Sequence, residues 1–261
     1  EHVYDQAYKL GKSAWYQMIS KGEVGYLPSL DGVVQTEDIA SESYLGLVEI
    51  PLNKIQGTYT HSRSISFAHN FMPIMDKKTE FSAKWRHVYN YHIEEGITDP
   101  IKVYEYLNRF FVVEGNKRVS VLKFVGATSI NGYVTRLIPK RDRSNKVNCI
   151  YYEFMDFYKI TGINTIWFSN EGSFSELLDY MNSLKEKART DGYVETLHGR
   201  RRPTPDVHST NFIVRQAAER AAINMPIQGT EADLMKLAMV NLEKKLVGTG
   251  AKQLLQIHDS I

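Results

Sequence analysis

Gly199-Arg200-Arg201-Arg202 sets three guanidinium groups beside a glycine. Arginine grips phosphate bidentately, and glycine lets a nucleic-acid backbone come close. Arg220 and Asn224 stand four positions apart, on one face of any helix that carries them, and Gln228 follows. Leu254-Leu255-Gln256-Ile257-His258-Asp259 reads as a short apolar strand ending in a turn, with the Asp259 carboxylate at an exposed tip. Gly115-Asn116-Lys117-Arg118 stands between a strand pattern and a helix pattern. Free N–H groups and the positive end of a helix favour an anion there, and Lys117 or Arg118 adds charge. Each group also has a plainer reading: a solvated basic loop, a polar helix surface, or a tight strand-to-helix turn.

The elements that must carry these residues are visible as periodicities. Ala7, Leu10, Ala14 and Met18 have helical spacing within Tyr4 to Ser20, and Thr36 could cap a second helical stretch to Ser43. Leu45 to Ile50 reads as a strand, Phe81 to Ile93 as a helix, and Asp99 to Val103 and Arg109 to Val113 as strands. Val119 to Val125 reads as a helix closed by Gly126, and Gly132 to Ile138 as a further strand. Cys149 to Tyr158, rich in tyrosine and phenylalanine, reads as an apolar core segment, with base stacking as its alternative. Phe174, Leu177, Leu178, Met181 and Leu184 form a helix stripe. Small apolar residues around Ala217, Ala221 and Ala222 give a helix that Pro226 should end, since proline lacks the N–H and clashes with the preceding turn. Thr230, with Asp233 three residues on, reads as the cap of a new helix. Arg220, Asn224 and Gln228 would then gather around the break.

Hydrophobic residues make up 43% of the chain and charged residues 24%, the proportions of a globular protein. The formal net charge is only +2, so nucleic-acid binding must come from local clusters. Cys149 is the single cysteine, which excludes an internal disulfide and points to a reducing cytoplasm. No apolar run approaches the ~18 residues of a membrane span, so no membrane partner is expected. His61, His69, His87 and His92 lack cysteine or acidic partners at metal-ligand spacing.

Three blocks at the C-terminal end resemble the palm and adjoining fingers of family A (Pol I-like) DNA polymerases. They are GYVETLHGRRR (Gly192 to Arg202), NFIVRQAAERAAINMPIQGTEAD (Asn211 to Asp233) and LLQIHD (Leu254 to Asp259). The resemblance implies that Asp259 helps hold catalytic Mg²⁺ and that His258 supports the primer end. It implies that Arg200, Arg201, Arg220, Asn224 and Gln228 contact primer–template DNA, with deoxynucleotides as further partners. There are departures. Ser260 follows the His-Asp pair where the family often has Glu. No Asp-Tyr-Ser-like strand supplies the other metal-binding aspartate; the nearest segment, Asp156-Phe157-Tyr158, lacks the rest of the pattern. The fingers helix with its Arg, Lys and Tyr-Gly is also missing. The chain opens at Glu1 and closes at Ile261, and both ends look cut. A fragment that does not extend primers is the expectation.

A second resemblance covers Leu45 to Ile138. Val-Glu-Ile-Pro-Leu (from Val48), Glu-Gly-Ile-Thr-Asp-Pro-Ile (from Glu95) and Phe-Val-Val-Glu-Gly-Asn-Lys-Arg (from Phe111), followed by a helix and Gly-Ala, look like the ParB/sulfiredoxin superfamily. The resemblance implies a nucleotide phosphate bound at Gly115, Lys117 and Arg118. Sulfiredoxins carry a cysteine where Asn116 stands, so their chemistry is not expected.

An α+β chain in three parts follows: a helical arm at 1–44, a ParB/sulfiredoxin-like mixed sheet-and-helix domain with an extension at 45–184, and a truncated polymerase palm/fingers segment at 185–261. Three functional readings stand. The chain is a partial DNA-directed DNA polymerase of replication or repair, inactive by itself. Alternatively it is a nucleotide-binding regulatory module with a DNA-contacting appendage, or a hybrid of two unrelated fragments.

Overall fold

Alternation of buried and exposed residues along Ile101–Tyr106 is the signature of a strand with one face on a core. In the computed structural model, which describes residues 2–164 and 166–252, that strand lies at the centre of a five-stranded sheet. The architecture is α+β, and the chain divides into two compact units, Glu1–Tyr152 and Glu153–Ile261. The division falls inside a helix, Lys146–Thr161.

The first unit runs α1 (His2–Ile19), β1 (Ile39–Pro51), β2 (Ile55–Thr58), the single turn α2 (His61–Ser64), α3 (Glu80–Glu94), β3 (Ile101–Tyr106), β4 (Arg109–Glu114), α4 (Asn116–Phe124), β5 (Ser129–Pro139) and the start of α5 (Lys146–Thr161). The strand order is β1-β5-β3-β4-β2. β3 runs parallel to β5 and antiparallel to β4, so the sheet is mixed. The β3–β4 link is a two-residue hairpin in which Leu107 and Asn108 both have positive φ, the backbone that matches the twist of paired strands. Ile101, Val103, Val112, Ile130 and Val134 meet Val119 and Leu122 of α4 in the main core. Trp85 of α3 is fully buried and donates from Nε1 to Ser120 Oγ at 2.8 Å.

Two local expectations give way to long-range contacts. Thr36 to Ser43 is not helical: a short turn over Thr36–Asp38 is capped by Gln35, and from Ile39 the chain joins β1. Eleven register pairs with β5, from Ile39↔Pro139 to Pro51↔Ser129, outweigh a weak local helix signal. Residues 1–44 also do not stand apart as an arm. Tyr4 donates to the Met75 carbonyl at 2.7 Å and meets Trp85 edge-on at 5.5 Å.

The second unit carries the rest of α5, then α6 (Ser173–Asp191), β6 (Tyr193–Glu195), β7 (Arg201–Pro203) and α7 (Phe212–Leu246). The Cys149 to Tyr158 run is core: Phe154 and Phe157 are buried, with ring centroids 5.8 and 5.3 Å from Phe174. Asp156-Phe157-Tyr158 is therefore helical. The expected boundary at Leu184 lies inside α6, where Leu184 itself is buried. Pro226 does not end its helix: α7, 35 residues long, continues through it to Leu246. Ala222, Ile223, Pro226 and Thr230 are buried along one stretch of α7, and this tertiary burial outweighs the missing N–H. Thr230 and Asp233 consequently cap nothing and are free for other work.

Candidate nucleic-acid interface

The arginine block folds as a tight hairpin. β6 and β7 pair antiparallel through Tyr193↔Pro203, Val194↔Arg202 and Glu195↔Arg201. Gly199 takes a φ of 77°, the left-handed conformation glycine adopts without strain. This turn lies on α7. The Thr196 hydroxyl donates to Asp233 Oδ2 at 2.8 Å, and the Leu197 N–H donates to Thr230 Oγ1 at 3.0 Å. Arg200 Nη2 donates to the Gly229 carbonyl at 2.9 Å and stands 3.0 Å from Asp233 Oδ1. Gly229 is what permits the approach, since a Cβ there would sit 2.7 Å from Thr196 Cγ2. The Thr196 hydroxyl, and after it the Arg200 charge, hold the Asp233 carboxyl below the usual range.

Arg201 points to the other side of the hairpin. Its guanidinium lies 4.5 Å from the Tyr193 ring centroid and 3.2 Å from Glu195 Oε2. Glu195 also accepts from Lys187 at 2.7 Å, and these two partners, Lys187 first, lower its pKa. Arg202, Arg220, Asn224 and Gln228 are exposed. Arg202 and Arg220 have no ion pair among the described residues. Arg220, Asn224 and Gln228 share one stripe of α7 about 12 Å long, at 1.5 Å per residue. Arg220 and Asn224 line a cavity of about 350 Å³ with Lys185 of α6. The fold thus brings Arg200 beside the Gly229–Asp233 turn of α7, one position from Gln228, with Arg220 and Asn224 further up the same helix. The sequence reading missed Asp233 and Thr196 as partners; its only signal, the Thr230–Asp233 spacing, reads as a cap.

Asp259 and His258 lie outside the described residues. Among the described residues no group of three His, Cys, Asp or Glu side chains could hold a metal ion, so they do not themselves make a Mg²⁺ site.

In the first unit the Gly115 to Arg118 turn forms as the pattern implied. Gly115 has a φ of 111°, and a Cβ there would run into the Ile101 side chain. Arg118 Nη1 donates to the carbonyls of Asp99 and Pro100, both at 2.8 Å, and so fastens the approach to β3. Lys117 Nζ stands 4.6 Å from the centre of the Phe81 ring, with its pKa lowered by burial and then by Lys84 and Arg63. Asn116 Nδ2 donates to Thr58 Oγ1 at 3.1 Å, while its buried Oδ1 has no partner among the described residues. A cavity of about 410 Å³ opens beside this turn, and three cations (Arg63, Lys117, Arg118) and no carboxylate line it.

Comparison with known proteins bears on the second unit. The family model "DNA polymerase family A" matches residues 167–261. Residues 167–261 are thus similar to a segment of family A DNA polymerases. DNA polymerase I of Deinococcus radiodurans is 56% identical over 82 residues, 31% of this chain and 9% of that protein. The chain spans about a tenth of the length of the curated polymerase relatives it matches. Among solved structures, the POL domain of Pol1 from M. smegmatis, in complex with DNA primer-template and dNTP, is 46% identical. It covers 33% of this chain and 16% of that one, with a TM-score of 0.32. ParB from Caulobacter crescentus, solved with CTP-gamma-S, is 15% identical over 56% of this chain and 64% of its own, with a TM-score of 0.26. No described helix is long and apolar enough to cross a membrane.

Proposed function

We propose that the polymerase segment binds primer–template DNA through Arg200, Arg201, Arg220, Asn224 and Gln228, and that the chain does so without extending the primer. The hairpin on α7 carries this reading: it holds the arginine block beside Gln228, on the helix that also presents Arg220 and Asn224. Guanidinium groups position a phosphate backbone without reading sequence. Binding is therefore sequence-indifferent and salt-sensitive, with a log–log slope of about minus one per phosphate contact. Fluorescence anisotropy of labelled primer–template across a salt series tests it. Changing Arg200 and Arg201 to alanine should weaken binding to all sequences alike and make the slope shallower. Untouched affinity in that double variant would remove these residues from the interface. By resemblance, Asp259 with His258 would hold Mg²⁺ and the primer end, and deoxynucleotides would be further ligands.

A second reading concerns the first unit. The cavity lined by three cations, at the start of a nine-residue helix, supports binding of a nucleotide phosphate by Gly115, Lys117 and Arg118. Arg118 is held by two carbonyls, so Lys117 supplies the more available charge. Titration calorimetry with nucleoside triphosphates checks this: binding should be lost in Lys117→Ala, and equal binding in that variant would exclude it. A regulatory module fused to a polymerase segment, or a hybrid of two coding fragments, fits either result.

A further inference from the structure

An acidic side chain inside a DNA-facing surface is a liability, because it repels phosphate. Asp233 is such a residue, yet its side chain is only 15% exposed and both of its oxygens are engaged by the arginine turn. One oxygen takes the Thr196 hydroxyl, and the other pairs with Arg200 Nη2. Thr196 Oγ1 in turn accepts the Arg200 backbone N–H at 3.2 Å. The result is a closed ring, Asp233–Thr196–Arg200–Asp233, which fixes the first arginine of the block at both its backbone and its guanidinium. Leu197 bonded to Thr230, and Gly229 with no side chain in the way, hold the ring against the helix. Among the described residues Arg200 makes its contacts through Nη2, which leaves Nη1 and Nε to meet a phosphate, and the side chain is still half exposed.

We propose that Asp233 is a positioning residue for DNA: it latches the Thr196–Arg202 turn onto α7, so that Arg200 meets the phosphate backbone already ordered. This rests on the DNA-binding reading above. A free arginine side chain loses rotamer freedom on binding, and an arginine already held loses less of it. A latch and simple electrostatics differ in sign here. Removing a negative charge beside DNA should raise affinity; removing a latch should lower it.

The test is anisotropy of the full chain with primer–template DNA across a salt series, on the parent, Asp233→Asn, Asp233→Glu and Thr196→Val. Circular dichroism of each variant confirms that α7 is retained. The expected result is a roughly tenfold loss of affinity in Asp233→Asn, the size of one broken charge-assisted bond. The salt slope should become shallower by about one for each phosphate no longer held, and Asp233→Glu should restore part of both. Thr196→Val changes no charge, so it should reproduce the loss even if Asp233→Asn does not fold. A destabilised fold alone would lower the melting temperature and leave the slope of the folded protein where it was; that pattern overturns the proposal. Equal or tighter binding by Asp233→Asn or Thr196→Val overturns it as well, while leaving the DNA-binding reading intact. A parent chain that does not bind primer–template DNA removes that reading and the latch with it.

Discussion

Arg136 Nε donates to a Glu105 carboxylate oxygen at 2.7 Å, and both side chains are at least 95% buried. The pair bridges β5 and β3, where Glu105 and Arg136 stand in register. The same Glu105 oxygen accepts the Tyr151 hydroxyl of α5 at 2.8 Å, and the other accepts the Asn108 N–H of the β3–β4 turn at 2.7 Å. One carboxylate therefore joins two strands, a hairpin and a helix. Breaking such a pair from one side leaves an uncompensated buried charge, which costs about 3–5 kcal/mol. Glu105→Gln should destabilise the first unit by that order, seen as a lower urea midpoint at unchanged slope. Pairing Glu105→Leu with Arg136→Met should cost less than Glu105→Leu alone. A loss in the double variant equal to the sum of those in Glu105→Leu and Arg136→Met would show that the pair is not coupled.

Lys123 gives the first unit a pH dependence of opposite sign to the usual salt-bridged lysine. Its ammonium donates to the Ile55 carbonyl at 2.9 Å and lies 4.7 Å from the Phe71 ring centroid. Burial lowers its pKa from 10.5 to about 8. Between those values the fold holds fewer protons than the unfolded chain, so stability rises with pH. The cost of the buried charge is fully present below pH 8. Tyr4 and Tyr151, whose phenol pKa values burial raises, act in the opposite direction only above about pH 10. Lys54 and Lys117, whose pKa values burial also lowers, act in the same sense as Lys123, so only the difference between the parent and a Lys123 variant isolates Lys123. By urea midpoints the parent should gain stability from pH 8 to 10 relative to Lys123→Met, and parallel curves would refute the assignment.

Much of the first unit was legible because its signals are local. Ile101–Tyr106 alternates with period two, and Gly115 between a strand and a helix announces the turn that opens α4. Ile39–Ser43 was not legible, because its strand state comes from pairing with residues almost a hundred positions away. Pro226 misled for a related reason: propensity acts within one turn, whereas the burial around Ile223 and Thr230 is tertiary. The interface divides in the same way. The arginines announce themselves by type, but Asp233 and Thr196 are 37 positions apart, and neither has a local pattern that names the other.

Gly229 offers a test of the close approach itself. A methyl group there would stand 2.7 Å from Thr196 Cγ2 and 3.2 Å from Arg200 Nη2, so the hairpin must move. Overpacking of this kind costs about 1–3 kcal/mol. Alanine in place of glycine within a helix returns roughly 0.5–1 kcal/mol. Gly229→Ala should therefore change the melting temperature little while lowering affinity for primer–template DNA. Unchanged affinity with unchanged stability would mean that the turn relaxes without disturbing its arginines.

The last prediction separates binding from chemistry. Two-metal phosphoryl transfer clamps both the attacking and the leaving oxygen, and the ions must themselves be fixed by carboxylates. By resemblance Asp259 is one such group. The strand that carries its partner in the family has no counterpart in the sequence, and the one near match, Asp156-Phe157-Tyr158, is helical. Misplacement of a catalytic constellation by about 1 Å can already cost a hundredfold in rate. The purified chain with Mg²⁺ and all four deoxynucleotides should leave a primer unextended, just as Asp259→Ala does. Arginine contacts to phosphate need no metal, so removing Mg²⁺ with a chelator at constant ionic strength should leave primer–template affinity within about twofold. Extension by the parent that vanishes in Asp259→Ala would show that a second carboxylate is in place, and a large loss of affinity on chelation would show that a metal, not the arginines, carries the DNA.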